Sequence, residues 1–95
     1  MTTNPTIFQK NIAASGTPEQ LSEASILINS VMTIKAKAAN TGVIYIGTTS
    51  AQALKTSANN FTLKAGESID IKAMNAKEIW LDSSVSGEGV EAIIS

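Results

Sequence analysis

The sequence predicts an all-β fold, a small antiparallel β-sandwich or barrel of about six to eight short strands with an extended N-terminal arm. Three observations predict it. From Val31 onward, apolar residues recur with period two in short runs. Clusters of Gly, Asn, Ser and Ala-Gly separate those runs about every ten residues. The apolar fraction is 43% but aromatics are only 4%, so the core rests on Ile, Val, Leu, Met and Ala. At 95 residues one domain is expected, with 1–14 an N-terminal arm or first strand and 15–95 a single sandwich domain.

The N-terminal region carries Ile7, Phe8 and Ile12 behind a polar start that contains Pro5. These residues fit either a first strand, Thr6 to Ala14, or an arm that reaches a neighbour and orders only there. Thr17-Pro18-Glu19-Gln20 has the form of a helix start, with a Thr cap, Pro at the first helical position and Gln three residues after the cap. The rival reading is a turn over Ser15–Pro18 and a second strand from Ile26 towards Val31. The run Ile26-Leu27-Ile28 favours this β reading.

In Val31–Ala38, Met32, Ile34, Ala36 and Ala38 share one face, with Thr33, Lys35 and Lys37 on the other, as in a half-buried strand. Asn40-Thr41-Gly42 suits a tight turn with positive φ, so Val43–Ile46 is expected to return beside it as a hairpin. Gly47–Asn60 reads as a long loop with one short turn near Ala53-Leu54. Phe61–Lys64 and Ser68–Ala73 are the next strands, linked by Ala65-Gly66-Glu67. Met74–Lys77 turns the chain into a strand at Glu78–Asp82. Ser86–Gly89 is expected as a hairpin turn, and Val90–Ile94 closes the fold.

The chain contains no His, Cys or Arg. Those residues supply most general bases near neutral pH, most thiolate and imidazole ligands, and the forks that grip phosphate. Catalytic, cofactor and metal sites are therefore all expected to be absent. Serine is abundant, but a Ser–His pair is ruled out, and no nucleophile elbow surrounds any serine. Asp70 and Lys72 on one strand, and Glu78 and Asp82 on another, read as solvated faces. A calcium site drawing on Asp82 and Glu88 would have too few acids. Glu88 also spoils Ser86–Gly89 as a phosphate cradle. The net charge is −1 and the seven lysines are scattered, which disfavours nucleic acid as a partner. No apolar run reaches the roughly 18–20 residues of a spanning helix, and the start lacks the pattern of a signal peptide. Synthesis in the cytoplasm is the expectation.

Apolar residues on the wrong side of strands carry more information. If Ile79 and Leu81 point inward, Trp80 points outward; likewise Val43 and Tyr45 against Ile44 and Ile46, and Ile93 against Val90, Ala92 and Ile94. Either other parts of the domain cover these residues, or another protein does. The candidate protein interface is Ile7, Phe8, Ile12, Tyr45, Trp80 and Ile93, with Tyr45, Trp80 and Ile93 able to form one patch.

The progression Val31-Met32-Thr33-Ile34-Lys35-Ala36, Asn40–Gly47, Leu63–Ile69, Ile79-Trp80-Leu81-Asp82 and Gly87-Glu88-Gly89-Val90 resembles small β domains of tailed-bacteriophage virion proteins. The resemblance covers residues 26 to 95 and consists of strands and turns. It implies a β-sandwich displayed on the particle, most simply a head decoration (cement) protein. Such a protein clamps major capsid subunits together and is commonly a homotrimer, located on the capsid surface of the virion. The alternatives are a receptor- or glycan-binding module of a tail or fibre, with Trp80 or Tyr45 stacking on a sugar, and another tail or neck component.

Overall fold

Period-two patterning gives each strand one face to bury, and the structure stacks those faces in two layers. The computed structural model describes residues 6–22, 31–72 and 75–94. Within them, β1 (Thr6–Asn11), β3 (Met32–Ala36), β6 (Ser68–Ile71) and β8 (Gly89–Ile94) form the first sheet, in the order β1-β8-β3-β6. The second sheet contains β2 (Glu19–Gln20), β4 (Ile44–Gly47), β5 (Phe61–Leu63) and β7 (Trp80–Ser83), in the order β2-β7-β4-β5. All the described pairings are antiparallel. The predicted all-β sandwich is the fold observed.

The core lies between the layers. Met32, Ile34 and Ala36 of β3 and Val90, Ala92 and Ile94 of β8 face inward from the first sheet. Ile44, Ile46, Leu63 and Leu81 meet them from the second. Register aligns Phe8, Ala92, Ile34 and Ile69 in one cross-strand row, so a single apolar layer spans all four strands of the first sheet. Each fully buried Ile or Leu contributes about 1.5–3 kcal/mol of transfer free energy.

Connectivity departs from the expected hairpins. Of the described strands adjacent in sequence, only β4 and β5 pair. β3 and β4 lie in different sheets, as do β7 and β8. Neither Asn40-Thr41-Gly42 nor Ser86–Gly89 is therefore a hairpin turn; both are crossovers between layers. No non-glycine residue among those described has positive φ, so the predicted left-handed Asn is also absent. Long-range hydrogen bonds shape these crossovers instead. The buried Asn40 side chain donates to the Gly89 carbonyl (2.8 Å), and the Glu88 carboxylate takes the N–H groups of Thr41 and Gly42. Gly87 does adopt positive φ (+87°), which L side chains rarely tolerate.

The N-terminal segment resolves as a first strand: β1 pairs with β8 over its whole length, from Thr6↔Ile94 to Asn11↔Gly89. The helix signal at Thr17-Pro18 is overridden. Glu19 and Gln20 pair with Leu81 and Trp80 of β7, and Leu21 N–H donates to the Ile79 carbonyl (2.7 Å). Tertiary pairing outweighs a local cap worth about 1 kcal/mol. The strand expected from Ile26 falls, up to residue 30, outside the described residues.

The expected loop at 47–60 contains one helical turn, α1 (Ser50–Ala53), capped by the Thr49 side chain accepting from Gln52 N–H (3.1 Å). It lies directly on β4: a Cβ added at Gly47 would sit 2.6 Å from the Ala53 nitrogen. Glu78 belongs to a 3-10 turn (Ala76–Glu78) ahead of β7, so it does not share a strand face with Asp82.

Candidate interaction surface

The two outer faces of the sandwich differ. The outer face of the second sheet is roofed by its own chain, and Asp82 shows how. Alternation along β7 turns Leu81 into the core, so Trp80 and Asp82 face the other way. Yet Asp82 is 0% exposed. Its Oδ1 accepts from Gly16 N–H (2.9 Å) and Ser83 N–H (2.8 Å), and its Oδ2 from Lys55 N–H (2.8 Å). One carboxylate thus pins the turn after β1 and the segment after α1 onto this face. Asp82 is no solvated residue, as the alternation suggested. Its charge is offset by three backbone donors, which a buried carboxylate requires.

Tyr45, the cross-strand partner of Asp82, is half-buried on the same face. Trp80, paired with Gly47 and Gln20, is also half-buried there. These two residues therefore lie on the covered side of the molecule.

The outer face of the first sheet carries no such roof among the described residues. Register sets its side chains in rows. One row is Ile7, Ile93, Thr33 and Asp70; the next is Gln9, Glu91, Lys35 and Ser68. Ile7 is 71% exposed and Ile93 39%. They are direct cross-strand partners and flank a shallow groove of about 250 Å³ that continues past Thr33, Lys35 and Glu91. Thr33 Oγ1 donates to Asp70 Oδ1 (2.6 Å) at the far end of the row. In the third row Lys37 Nζ donates to Asn11 Oδ1 (2.8 Å).

The six sequence-derived interface residues therefore separate. Ile7 and Ile93 come together on an open face. Tyr45 and Trp80 lie on the opposite side of the sandwich, so the single patch of Tyr45, Trp80 and Ile93 does not form. Phe8 faces inward from β1 and packs, half-buried, against the core. Ile12 is 0% exposed and belongs to the core cluster; it is corrected from interface to core because it follows β1 into the space between the sheets.

Two exposed apolar residues escaped sequence reading. Phe61 is 54% exposed although its register with Ile46 points it inward, because β5 is a three-residue edge strand with no described strand beyond it. It borders a second open groove of about 230 Å³ with Ile46, Ile71 and Ile79. Val85 is exposed in the crossover after β7. Val85 lies in no alternating run, and the alternation of Phe61 with Leu63 puts Phe61 on the inward face.

Polar chemistry on this chain is spent on connectors. Glu88 Oε2 accepts from Thr41 N–H (2.6 Å) and Thr41 Oγ1 (2.8 Å), and Oε1 accepts from Gly42 N–H (2.8 Å). Those donors, Thr41 and Gly42 N–H first, hold the Glu88 carboxyl below the usual carboxylate range. Glu19 is lowered in the same way by Ala13 N–H (2.8 Å) and by Lys10, whose Nζ lies 2.9 Å away. Asp82 and Glu88 thus direct their oxygens at backbone donors that a calcium ion would have to displace. Among the described residues no three acidic side chains converge as a metal-ligand group, and no helix is long and apolar enough to cross a membrane. Ser15 Oγ accepts from Lys55 Nζ (2.9 Å), a Ser–Lys contact that lies on the surface outside both grooves and ties the turn after β1 to the segment after α1.

Comparison with protein-family models, curated proteins and solved structures returns no match.

Proposed function

We propose that this chain is a bacteriophage head decoration protein, a cement that binds the outside of the capsid and bridges major capsid subunits. One observation carries the reading: the outer face of the first sheet is open and sets Ile7 beside Ile93, on a sandwich whose other outer face its own loops cover. The progression of strands and turns resembling tailed-phage virion domains supports it. So does the use of Glu19, Asp82 and Glu88 to secure loops.

Function on this reading is adhesion without chemistry. Apolar area removed from water contributes roughly 25 cal/mol per Å² before association costs are subtracted. Modest contacts repeated over a lattice then stabilise a shell against the pressure of packaged DNA. The partner is the major capsid protein, and a homotrimer at a three-fold position is the favoured assembly; nucleic acid and membrane have no part in it. A sugar-stacking platform is less well supported, since it needs an open ring face and both Tyr45 and Trp80 are half-buried.

The test mixes purified protein with heads of the encoding phage from which this chain has been deleted. Tens to hundreds of copies should co-sediment per head and raise the temperature at which DNA escapes. No binding, or a handful of copies at one vertex, overturns the cement reading, the second outcome pointing to a neck or tail part.

A further inference from the structure

Among the described residues no strand pairs with the outer edge of β1, and the hydrogen-bonding pattern of that edge specifies what fits it. Ile12 N–H donates to the Glu88 carbonyl (2.9 Å), which sets the phase of the β1–β8 ladder. In an antiparallel ladder, hydrogen-bonded and non-hydrogen-bonded pairs alternate. Lys10, Phe8 and Thr6 therefore bond to β8, while Asn11, Gln9 and Ile7 turn their N–H and C=O groups to the free side. Gly89, opposite Asn11, bears this out: its carbonyl accepts from Lys37 N–H and Asn40 Nδ2, away from β1.

The other edges are shorter. β2 has two residues, β5 three and β6 four, against six in β1. Short edge strands are a common defence against unwanted pairing, and so are charges placed along an edge. In β1 the one charged residue, Lys10, faces inward and is held by Glu19, leaving Thr6 to Gln9 without a charge.

We infer that β1 is a docking edge for strand addition: an extended segment of a different protein pairs with Ile7, Gln9 and Asn11 as a fifth strand of the first sheet. The segment is apolar where it passes Ile7, extending the Ile7–Ile93 row, and polar where it passes Gln9 and Asn11. A second copy of β1 is a poor occupant. Antiparallel self-pairing that uses all three free residues sets Gln9 against Gln9 and Ile7 against the polar Asn11. The identity of the segment rests on the reading above, which makes it part of the major capsid protein; the edge geometry does not.

The probe is a synthetic eight-residue peptide of Val and Thr that, paired antiparallel to β1, sets Val opposite Ile7 and Thr opposite Gln9 and Asn11; it is titrated into the labelled full chain and followed by amide NMR. Shifts should concentrate at the Ile7, Gln9 and Asn11 amides, with slowed hydrogen exchange there. Gln9→Pro removes a free-side N–H without breaking the β8 ladder, and should weaken peptide binding about tenfold. Ile7→Lys, which places a charge at the edge, is the second variant and should act in the same direction. Shifts elsewhere, equal binding by both variants, or concentration-dependent self-pairing through β1 would overturn the inference. Heads separate the two proposals. Equal head binding by wild type and Gln9→Pro removes strand addition and leaves the cement reading; peptide pairing at β1 with no head binding does the reverse.

Discussion

Glu88 accepts both the backbone N–H and the hydroxyl of Thr41, 47 residues earlier in the chain, through a single carboxylate oxygen at 2.6 and 2.8 Å. The contact fastens the β3–β4 crossover to the β7–β8 crossover, two connectors that would otherwise drift apart at one end of the sandwich. Loops that join different sheets have no ladder of their own, so their backbone donors need side-chain acceptors.

Acid should loosen the protein through these clamps. The folded-state carboxyls of Glu88 and Glu19 lie below their ordinary value of 4.5, so the native state favours the ionised form more than the unfolded chain does. Their contribution is fully present above pH 4.5 and is lost as pH falls through the lowered values. Urea midpoints should be flat from pH 7 to 5 and fall below pH 4.5. In Glu88→Gln the acid-side fall should be shallower and the midpoint at pH 7 lower.

Removing the buried carboxylate of β7 should be severe. Asp82→Ala strands the N–H groups of Gly16 and Lys55, and each lost bond to a charged acceptor costs about 1.5–3 kcal/mol. Asp82→Asn should cost nearly as much, because its amide NH₂ meets one of these donors head-on. Denaturant unfolding measures both; an Asn variant as stable as wild type would show that the carboxylate is not what holds the two segments.

Ile7 and Ile12 should respond in opposite ways. Ile12→Ala opens a cavity in a fully buried site and should cost about 2–5 kcal/mol. Ile7→Asp, at 71% exposure, should change stability by no more than about 0.5 kcal/mol while abolishing partner binding. Unfolding and binding measured on the same two proteins separate the roles.

The legible parts of this fold were those with local causes. β3, β4, β6 and β8 follow from alternation, and Ile93 was recognisable as outward-facing because Val90, Ala92 and Ile94 claim the core. Pairing was not legible: Asn40-Thr41-Gly42 has the composition of a hairpin turn, and only Glu88 and Gly89, far along the chain, redirect it. The same limit hid Asp82, whose partners are backbone N–H groups of Gly16 and Lys55 and leave no residue-type signature. For Tyr45 and Trp80 alternation leaves cover by the same domain and cover by another protein both open, because the roof over their face comes from loops, which carry no periodicity.

The most direct test is a density map of the assembled particle at a resolution that orients the sandwich. The account predicts this chain on the capsid surface at the junctions between major capsid subunits, with Ile7 and Ile93 turned towards the shell. Density confined to the tail or neck, or a sandwich seated with Tyr45 and Trp80 against the shell, would contradict it.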